Sequence, residues 1–145
     1  MRWTEQGLEY EADPRQAEKL LRDLKVDEGV KSVGTPGVKT MREQLEGDVP
    51  LPYDKSSPYR AVVARANYLS ADRPDLQYAS KEVCRWMSTP AETALTALKR
   101  VGRYLEWHNR MVYRYDFQKA TQIDCYSDTD RAGCPRTRRS TSGGA

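Results

Sequence analysis

Two aspartates near the C-terminus have the residue type and spacing that best suit metal chemistry. Asp128 and Asp130 flank Thr129, directly after a strand-like run from Gln122 to Ser127. Carboxylates at the end of a strand can hold Mg²⁺, because the strand fixes hard oxygen ligands at a set spacing. The alternative is an aspartate-rich turn, in which the side chains accept hydrogen bonds from the backbone. Taken by themselves, these residues favour the turn.

A second candidate site is the basic and aromatic segment that leads up to Arg114. Its candidate phosphate-binding cations are Lys99, Arg100, Arg103, Arg110 and Arg114. Contacts of this kind are salt-dependent, and the rings of Tyr104 and Trp107 could stack on bases. The pattern is equally compatible with a structural role, in which Tyr104 and Trp107 lie in the core and the cations are solvated at the surface. His108, the only histidine, fits a helix end better than a general base.

Length and composition limit the function classes. The chain has 145 residues, enough for one core, with a mean hydropathy of -0.85. It contains no apolar run of the roughly 18 residues that a membrane span needs, and it opens without a secretory signal. We therefore expect a cytoplasmic or nuclear protein that does not contact membranes. Residues 1–54 hold twelve acidic and eight basic residues, whereas residues 55–145 hold nine acidic and sixteen basic ones, so a basic surface would lie C-terminal.

The three cysteines do not suggest a zinc site. They lack a C-x-x-C spacing and have one histidine to join them. Cys84 lies on an apolar helix stripe and Cys125 in a strand-like run, so both are predicted to be small buried apolar residues.

The elements that must position these residues begin with a strand over 7–12, where apolar and acidic residues alternate. Asp13 as cap and Pro14 in the first position then predict a helix. Glycines and prolines break any periodicity over 27–57, which predicts a mobile connector or a plain surface loop.

Three further helices are predicted, each with a proline near its first turn. They start near Pro58, near Pro74 and at Thr89, where Pro90 and Glu92 complete a capping pattern. Alternation over 111–116 and 122–127 predicts two strands. The expected fold is therefore α+β and mainly α: a small antiparallel helical bundle flanked by short strands. No partner strands are evident for either end, so both ends are expected to be frayed.

Two stretches carry a family resemblance. The first, YRAVVARANYLSADRPDLQYASKEVCRWMSTPAETALTALKRVGRYLEW, resembles the segment after the polymerase palm in copia-type reverse transcriptases. It has similar Tyr-Leu, Arg-Pro-Asp, Met-Ser-x-Pro and Leu-Lys-Arg-x-x-Arg-Tyr-Leu motifs in this order. The second, YSDTDRAGCPRTRRSTSGG, resembles the opening of the ribonuclease H domain of those polyproteins. The resemblance covers about residue 3 to the end.

The resemblance implies four regions: a strand and helix from the end of the palm (1–26), a linker (27–57), a helical thumb- or connection-like region (58–109) and a truncated start of an incomplete ribonuclease H-like fold (110–145). Asp128 falls on the first carboxylate of the family's ribonuclease H site, which uses Mg²⁺. Asp130 matches a family Asp of unassigned role, and Arg131 replaces the family's Trp.

The function implied by the resemblance is a fragment of a reverse transcriptase/ribonuclease H polyprotein. Its expected partners are an RNA–DNA hybrid or a DNA template–primer, and the rest of the Pol polyprotein. One or two carboxylates are too few for two Mg²⁺ ions, so this chain is expected to bind no metal and to be inactive alone. Two alternatives stay open: an inert remnant of a decayed element, or a stand-alone basic helical module that binds nucleic acid.

Overall fold

A computed structural model describes residues 1–26, 29–119, 121–134 and 136–144. The first two positions of the predicted connector (27–28), and positions 120, 135 and 145 of the predicted C-terminal region, lie outside the described residues. In chain order the elements are β1 (Arg2–Trp3), β2 (Gly7–Glu11), α1 (Pro14–Leu24), a short 3-10 turn (Arg42–Leu45), α2 (Tyr53–Ser70), α3 (Pro74–Cys84), α4 (Glu92–Trp107), β3 (Val112–Asp116), β4 (Ser127–Asp130) and β5 (Thr141–Gly144). The fold is α+β and mainly helical, as predicted.

The N-terminal strand pairs with the strand that follows α4. β2 lies between β1 and β3 in an antiparallel sheet, with Leu8 opposite Tyr115 and Tyr10 opposite Tyr113. Both strands were predicted, but the expectation that they lack partners is wrong, because each supplies the partner of the other. The pairing is close at Gly7, where an added Cβ would overlap the backbone carbonyl of Tyr115.

Helix α1 forms as predicted from its capping residues. The Asp13 carboxylate accepts a hydrogen bond from the backbone N–H of Arg15 at 3.1 Å, and Pro14 occupies the first helical position. The helix ends at Lys25, whose left-handed backbone (φ 51°) lets its N–H reach the carbonyl of Arg22.

Helix α2 begins five residues earlier than predicted. Pro52, with extended backbone, is its N-cap and Tyr53 its first residue, so the prediction of a start near Pro58 is wrong. Pro58 lies in the second turn, where its missing N–H leaves the carbonyl of Asp54 without the usual helical donor. The free-energy cost of that single lost hydrogen bond is small compared with the stabilisation from burying the apolar face of α2 that begins at Tyr59.

Helix α4 begins later than predicted because the connector supplies its cap. Its N-cap is Ala91, not Thr89. The Glu92 N–H donates to the carbonyl of Val49 at 3.0 Å, and the Asp48 carboxylate accepts from the Thr93 N–H at 3.1 Å. An acceptor 45 positions away in sequence therefore replaces the local capping pattern.

All four helices contribute to one core. Its largest fully buried apolar side chains are Leu20, Val63, Leu69, Leu76, Val83, Leu98, Val101 and Leu105. The connector joins this core through Val33 and Leu51, which are both buried, so its described part packs against the helices. Nowhere in the described part of the chain is there a helix long and apolar enough to cross a membrane.

The C-terminal strands form a separate hairpin. β4 pairs with β5 in antiparallel register, with Asp128 opposite Gly143 and Asp130 opposite Thr141. The strand predicted over 122–127 is wrong, because described residues 121–126 have no regular structure and β4 begins at Ser127. Cys125 is consequently exposed, contrary to prediction, since no sheet face covers it. Cys84 is partly buried and packs against the core.

Candidate nucleic-acid interface and predicted metal position

A buried arginine connects the elements that carry the candidate residues. The side chain of Arg73 is only 1% exposed and forms a two-point ion pair with Asp75, with Nε–Oδ1 at 2.9 Å and Nη2–Oδ2 at 2.7 Å. These two residues begin α3, and they are the Arg and Asp of the Arg-Pro-Asp motif. The motif therefore lies inside the fold and not on an exposed site.

The same arginine also caps the end of α4. Arg73 donates to the backbone carbonyls of His108 at 2.9 Å and Asn109 at 3.4 Å, which lie where helical carbonyls lose their intrahelical donors. The Tyr113 hydroxyl donates to Asp75 at 3.4 Å. One ion pair thus joins α3, the end of α4 and β3. His108 is the C-cap of α4, which confirms its prediction as a helix-end residue.

The protonation of Asp75 reflects this environment. Burial acts to raise the pKa of its carboxyl, but hydrogen bonds from Arg73 and the charge of Arg73 outweigh burial, so the net shift is downward. Asp75 therefore stays ionised and keeps Arg73 paired at neutral pH.

Three side chains on one face of α4 hold the connector. Arg100 donates through Nε to the carbonyl of Thr35 at 3.0 Å, and Arg103 donates through Nε and Nη2 to the carbonyl of Lys31 at 3.1 and 3.0 Å. The Trp107 indole N–H donates to the carbonyl of Val30 at 2.7 Å. These contacts dock residues 30–35 along α4. They neutralise no charge, because a backbone carbonyl is a neutral acceptor.

The five predicted phosphate-binding cations fall into two groups. Lys99, Arg100 and Arg103 lie within one turn of α4 and form no ion pair with a carboxylate within the described ranges. Arg110 pairs with Glu11 at 2.5 Å, and Arg114 pairs with Asp116 at 2.8 Å. The structure therefore brings together three cations with uncompensated charge and places the other two in ion pairs near the sheet.

The two aromatic residues of α4 lie in different environments. Tyr104 is buried, 6% exposed, and its ring stacks on His108 with centroids 4.3 Å apart. Trp107 is 56% exposed. Tyr104 is therefore a core residue, and Trp107 is the ring of this helix that remains accessible.

The predicted metal position is on the C-terminal hairpin. Asp128 is exposed and lies within β4, so the predictions of a position after a strand or in an aspartate-rich turn are both wrong; its Oδ1 accepts a hydrogen bond from the adjacent Thr129 N–H at 2.8 Å. Asp130, two residues further along β4, lies on the same strand face. Among the described residues, no group of three or more His, Cys, Asp or Glu side chains could hold a metal ion. Two carboxylates on one short strand do not fit a two-Mg²⁺ centre.

The hairpin contacts the helices through Arg136. Its guanidinium lies 4.6 Å from the ring centroid of Trp86 and donates to the Thr89 hydroxyl at 2.9 Å and the Arg85 carbonyl at 2.8 Å. Arg136 belongs to the basic run that follows Gly133. From the sequence, this run was recognised only as part of the motif that resembles the ribonuclease H opening.

Cys134, beside that attachment, is buried and has a perturbed pKa. Burial acts to raise the pKa of the thiol, but hydrogen bonds from Thr137 and from the backbone of Arg136 outweigh it, so the pKa falls to about 7. A backbone N–H of Thr137 lies 3.4 Å from the sulfur. The sequence contains no signal for this environment, because it depends on backbone donors.

Comparison with known proteins identifies the family. An uncharacterized mitochondrial protein of Arabidopsis thaliana is 35% identical over 94 residues, which is 63% of this chain and 38% of that protein. A retrovirus-related Pol polyprotein from transposon RE2 of the same species is 33% identical over 113 residues, 78% of this chain and 8% of that polyprotein. A second uncharacterized mitochondrial protein of this plant is 30% identical over 76 residues, 52% of this chain and 68% of its own length.

The chain belongs to the family of retrotransposon Pol polyproteins and their relatives. It spans well under half of the first mitochondrial protein and less than a tenth of the Pol polyprotein. No family model matches the chain, and no solved structure matches it.

Proposed function

We propose that this chain is the non-catalytic, nucleic-acid-contacting part of a copia-type reverse transcriptase/ribonuclease H polyprotein. Its proposed ligand is an RNA–DNA hybrid or a DNA template–primer, and its proposed contact residues are Lys99, Arg100 and Arg103. The observation that carries the proposal is the grouping of these three cations on α4 without carboxylate partners within the described ranges. Such a polyprotein would act in the cytoplasm or nucleus.

The helical spacing supports a continuous phosphate-binding surface. Lys99 and Arg103 are four residues apart and Arg100 and Arg103 three apart, so their side chains are neighbours on the helix surface. Three neutralised phosphates would give a log–log salt slope of about -2.7 on a duplex. Trp107, one turn further along α4, adds an accessible ring.

The proposal includes no catalysis by this chain. The resemblance assigns Asp128 to the ribonuclease H site as its first carboxylate. In this proposal, the other carboxylates of that site come from elsewhere in a longer polyprotein. With Asp128 and Asp130 as its acidic pair, the chain should not cleave a hybrid when Mg²⁺ is supplied.

A fluorescence-anisotropy titration with a labelled RNA–DNA hybrid tests the binding claim. Lys99→Glu is the best variant, because Lys99 is exposed and makes no contact that must be broken among the described residues. We expect about a fivefold loss of affinity at low salt, since the reversal replaces an attraction with a repulsion. Lys19→Glu, an equal charge reversal at an exposed position of α1, is the matched control and should weaken binding less than about twofold.

A second comparison separates the two groups of cations. Replacing Arg100 and Arg103 with Gln removes uncompensated charges, whereas replacing Arg110 and Arg114 with Gln removes charges that are already paired. The first pair should reduce the salt slope by about 2, and the second pair by less. An equal effect of both pairs would contradict the proposal, and no affinity at low salt would leave the inert remnant as the better description.

A further inference from the structure

A cavity lies between the connector and the two helices beneath it. Its volume is about 380 Å³, which is within the range of small-molecule sites, about 300–1,000 Å³. One wall is the connector segment that begins at Pro36, and the others come from α3, the turn after α3, and α4. Gly37 brings the connector close to α3, because a Cβ there would lie 3.1 Å from the Cβ of Ala79.

The base of this cavity is apolar. Ala79 and Val83 on α3 are 3% and 1% exposed, and the partly buried Trp86 and Ala97 continue the same surface. The apolar part of a ligand bound in this space would therefore be removed from water and would contact apolar side chains, which favours binding.

The rim of the cavity is cationic. Lys99, Arg100 and Arg103 line it along α4, and Glu82 is the carboxylate in the lining. Glu82 lies 3.4 Å from the Lys81 ammonium and 3.6 Å from Arg85 Nε, so its charge is already offset. An apolar space with an uncompensated positive rim is complementary to a molecule with an apolar body and one negative group.

We propose that this cavity binds a small amphipathic anion, with its ring or short aliphatic body against Trp86 and Ala97 and its carboxylate, sulfonate or phosphate at Lys99. This site shares Lys99 with the proposed nucleic-acid surface, but it differs from that surface because it requires the space beside Trp86 as well as the charge.

The probe for this site is anilinonaphthalene sulfonate, and its neutral parent, phenylnaphthylamine, is the matched control ligand. Binding to the full chain is followed by probe fluorescence and by energy transfer from tryptophan. We expect one sulfonate probe per chain and about tenfold weaker binding of the neutral parent, because the latter lacks the charge. Several probes per chain, or equal affinity for the two molecules, would overturn the proposal.

Two variants distinguish this proposal from the proposed function. Thr96→Phe places a ring at a cavity-lining position that is solvent-exposed, so the fold should tolerate it while the space is filled. It should abolish probe binding and leave hybrid affinity within about twofold, because the charges of α4 remain. Probe binding that survives Thr96→Phe would overturn this inference and leave the proposed function standing.

Lys99→Glu tests the charge of the same cavity. It should weaken the sulfonate probe about fivefold and the neutral parent hardly at all, whereas Lys19→Glu should change neither. An unchanged sulfonate affinity in the Lys99 variant would overturn the proposed role of the rim.

Discussion

The four helices with the three-stranded sheet, and the C-terminal hairpin, are built in different ways. The helices share one buried core, and strands from opposite ends of the chain close the sheet beside them. In the hairpin, Ser127, Asp128 and Thr129 of β4 and Ser142 of β5 are exposed, and Arg136 contacts the helices. The first region is therefore stabilised by burial, and the second by a small number of polar contacts.

This difference separates the family motifs by physical role. Arg73 and Asp75 of one motif form the buried ion pair, and Tyr104 and Leu105 of another lie in the core. Asp128, the residue that the resemblance connects to catalysis, is exposed on the hairpin. Both helical motifs thus contribute residues to packing, whereas the residue that the resemblance connects to catalysis lies on the exposed face of a hairpin.

The largest expected effect comes from breaking the buried ion pair. Arg73→Leu leaves the mostly buried Asp75 carboxyl without its ion-pair partner, and it removes the cap of α4. We expect a loss of about 3–5 kcal/mol in the free energy of unfolding, measured by urea denaturation. Adding Asp75→Leu should recover part of this loss, because no uncompensated charge would remain. A loss below about 1 kcal/mol would show that the pair is not the centre of this region.

The sheet is tested next, at its closest backbone approach. Gly7→Ala places a Cβ against the carbonyl of Tyr115, which cannot move without breaking the ladder. We expect a loss of about 1–3 kcal/mol. Gly34→Ala is the control, because nothing lies within 4 Å of a Cβ added there; it should change stability by less than about 0.5 kcal/mol. Equal effects of the two changes would contradict the observed pairing of β2 with β3.

A smaller effect is expected from pH. The pKa of Asp75 is lower in the folded chain than in the unfolded one, where it is about 3.9. Its stabilisation is therefore fully present above the unfolded value and is lost as the pH falls through the folded value. The difference in unfolding free energy between the wild type and Asp75→Asn should shrink from about pH 6 to about pH 3. A constant difference would indicate that the ionisation of Asp75 does not contribute.

The smallest effect is expected in the hairpin. Arg136→Ala removes the contacts with Trp86, Thr89 and the Arg85 carbonyl, which are all near the surface. Global stability should fall by less than about 1 kcal/mol, while fluorescence of Trp86 should change as its ring is uncovered. A loss as large as that of Arg73→Leu would mean that the hairpin is an integral part of the core.

Sequence patterns predicted an element correctly where interactions among its own residues determine where it starts and which face is buried. Asp13 and Pro14 start α1 as expected, and the apolar stripe that includes Leu98 and Val101 is buried. Predictions were wrong where a distant segment intervenes. Asp48 caps α4 in place of Thr89, and Pro52 begins α2 ahead of Pro58.

The candidate site was harder to predict because its partners are backbone atoms. Arg100 and Arg103 donate to carbonyls of the connector, and Arg73 donates to carbonyls at the end of α4. Backbone groups are the same at every position, so a sequence pattern does not reveal which ones a cation will reach. Cys125 shows the reverse case, in which an alternating pattern predicted a buried strand where described residues 121–126 have no regular structure.

Native-state hydrogen exchange most directly tests the difference between the helical region with its sheet and the C-terminal hairpin, because it measures opening free energies element by element. We predict that amides of β2, β3, α3 and α4 exchange only through global unfolding, while amides of β4 and β5 exchange through a much smaller local opening. Strand β2 should belong to the protected group, since β3 pairs with one of its edges and β1 with the other. Equal protection of the hairpin and the helices, or an unprotected β2, would contradict the account.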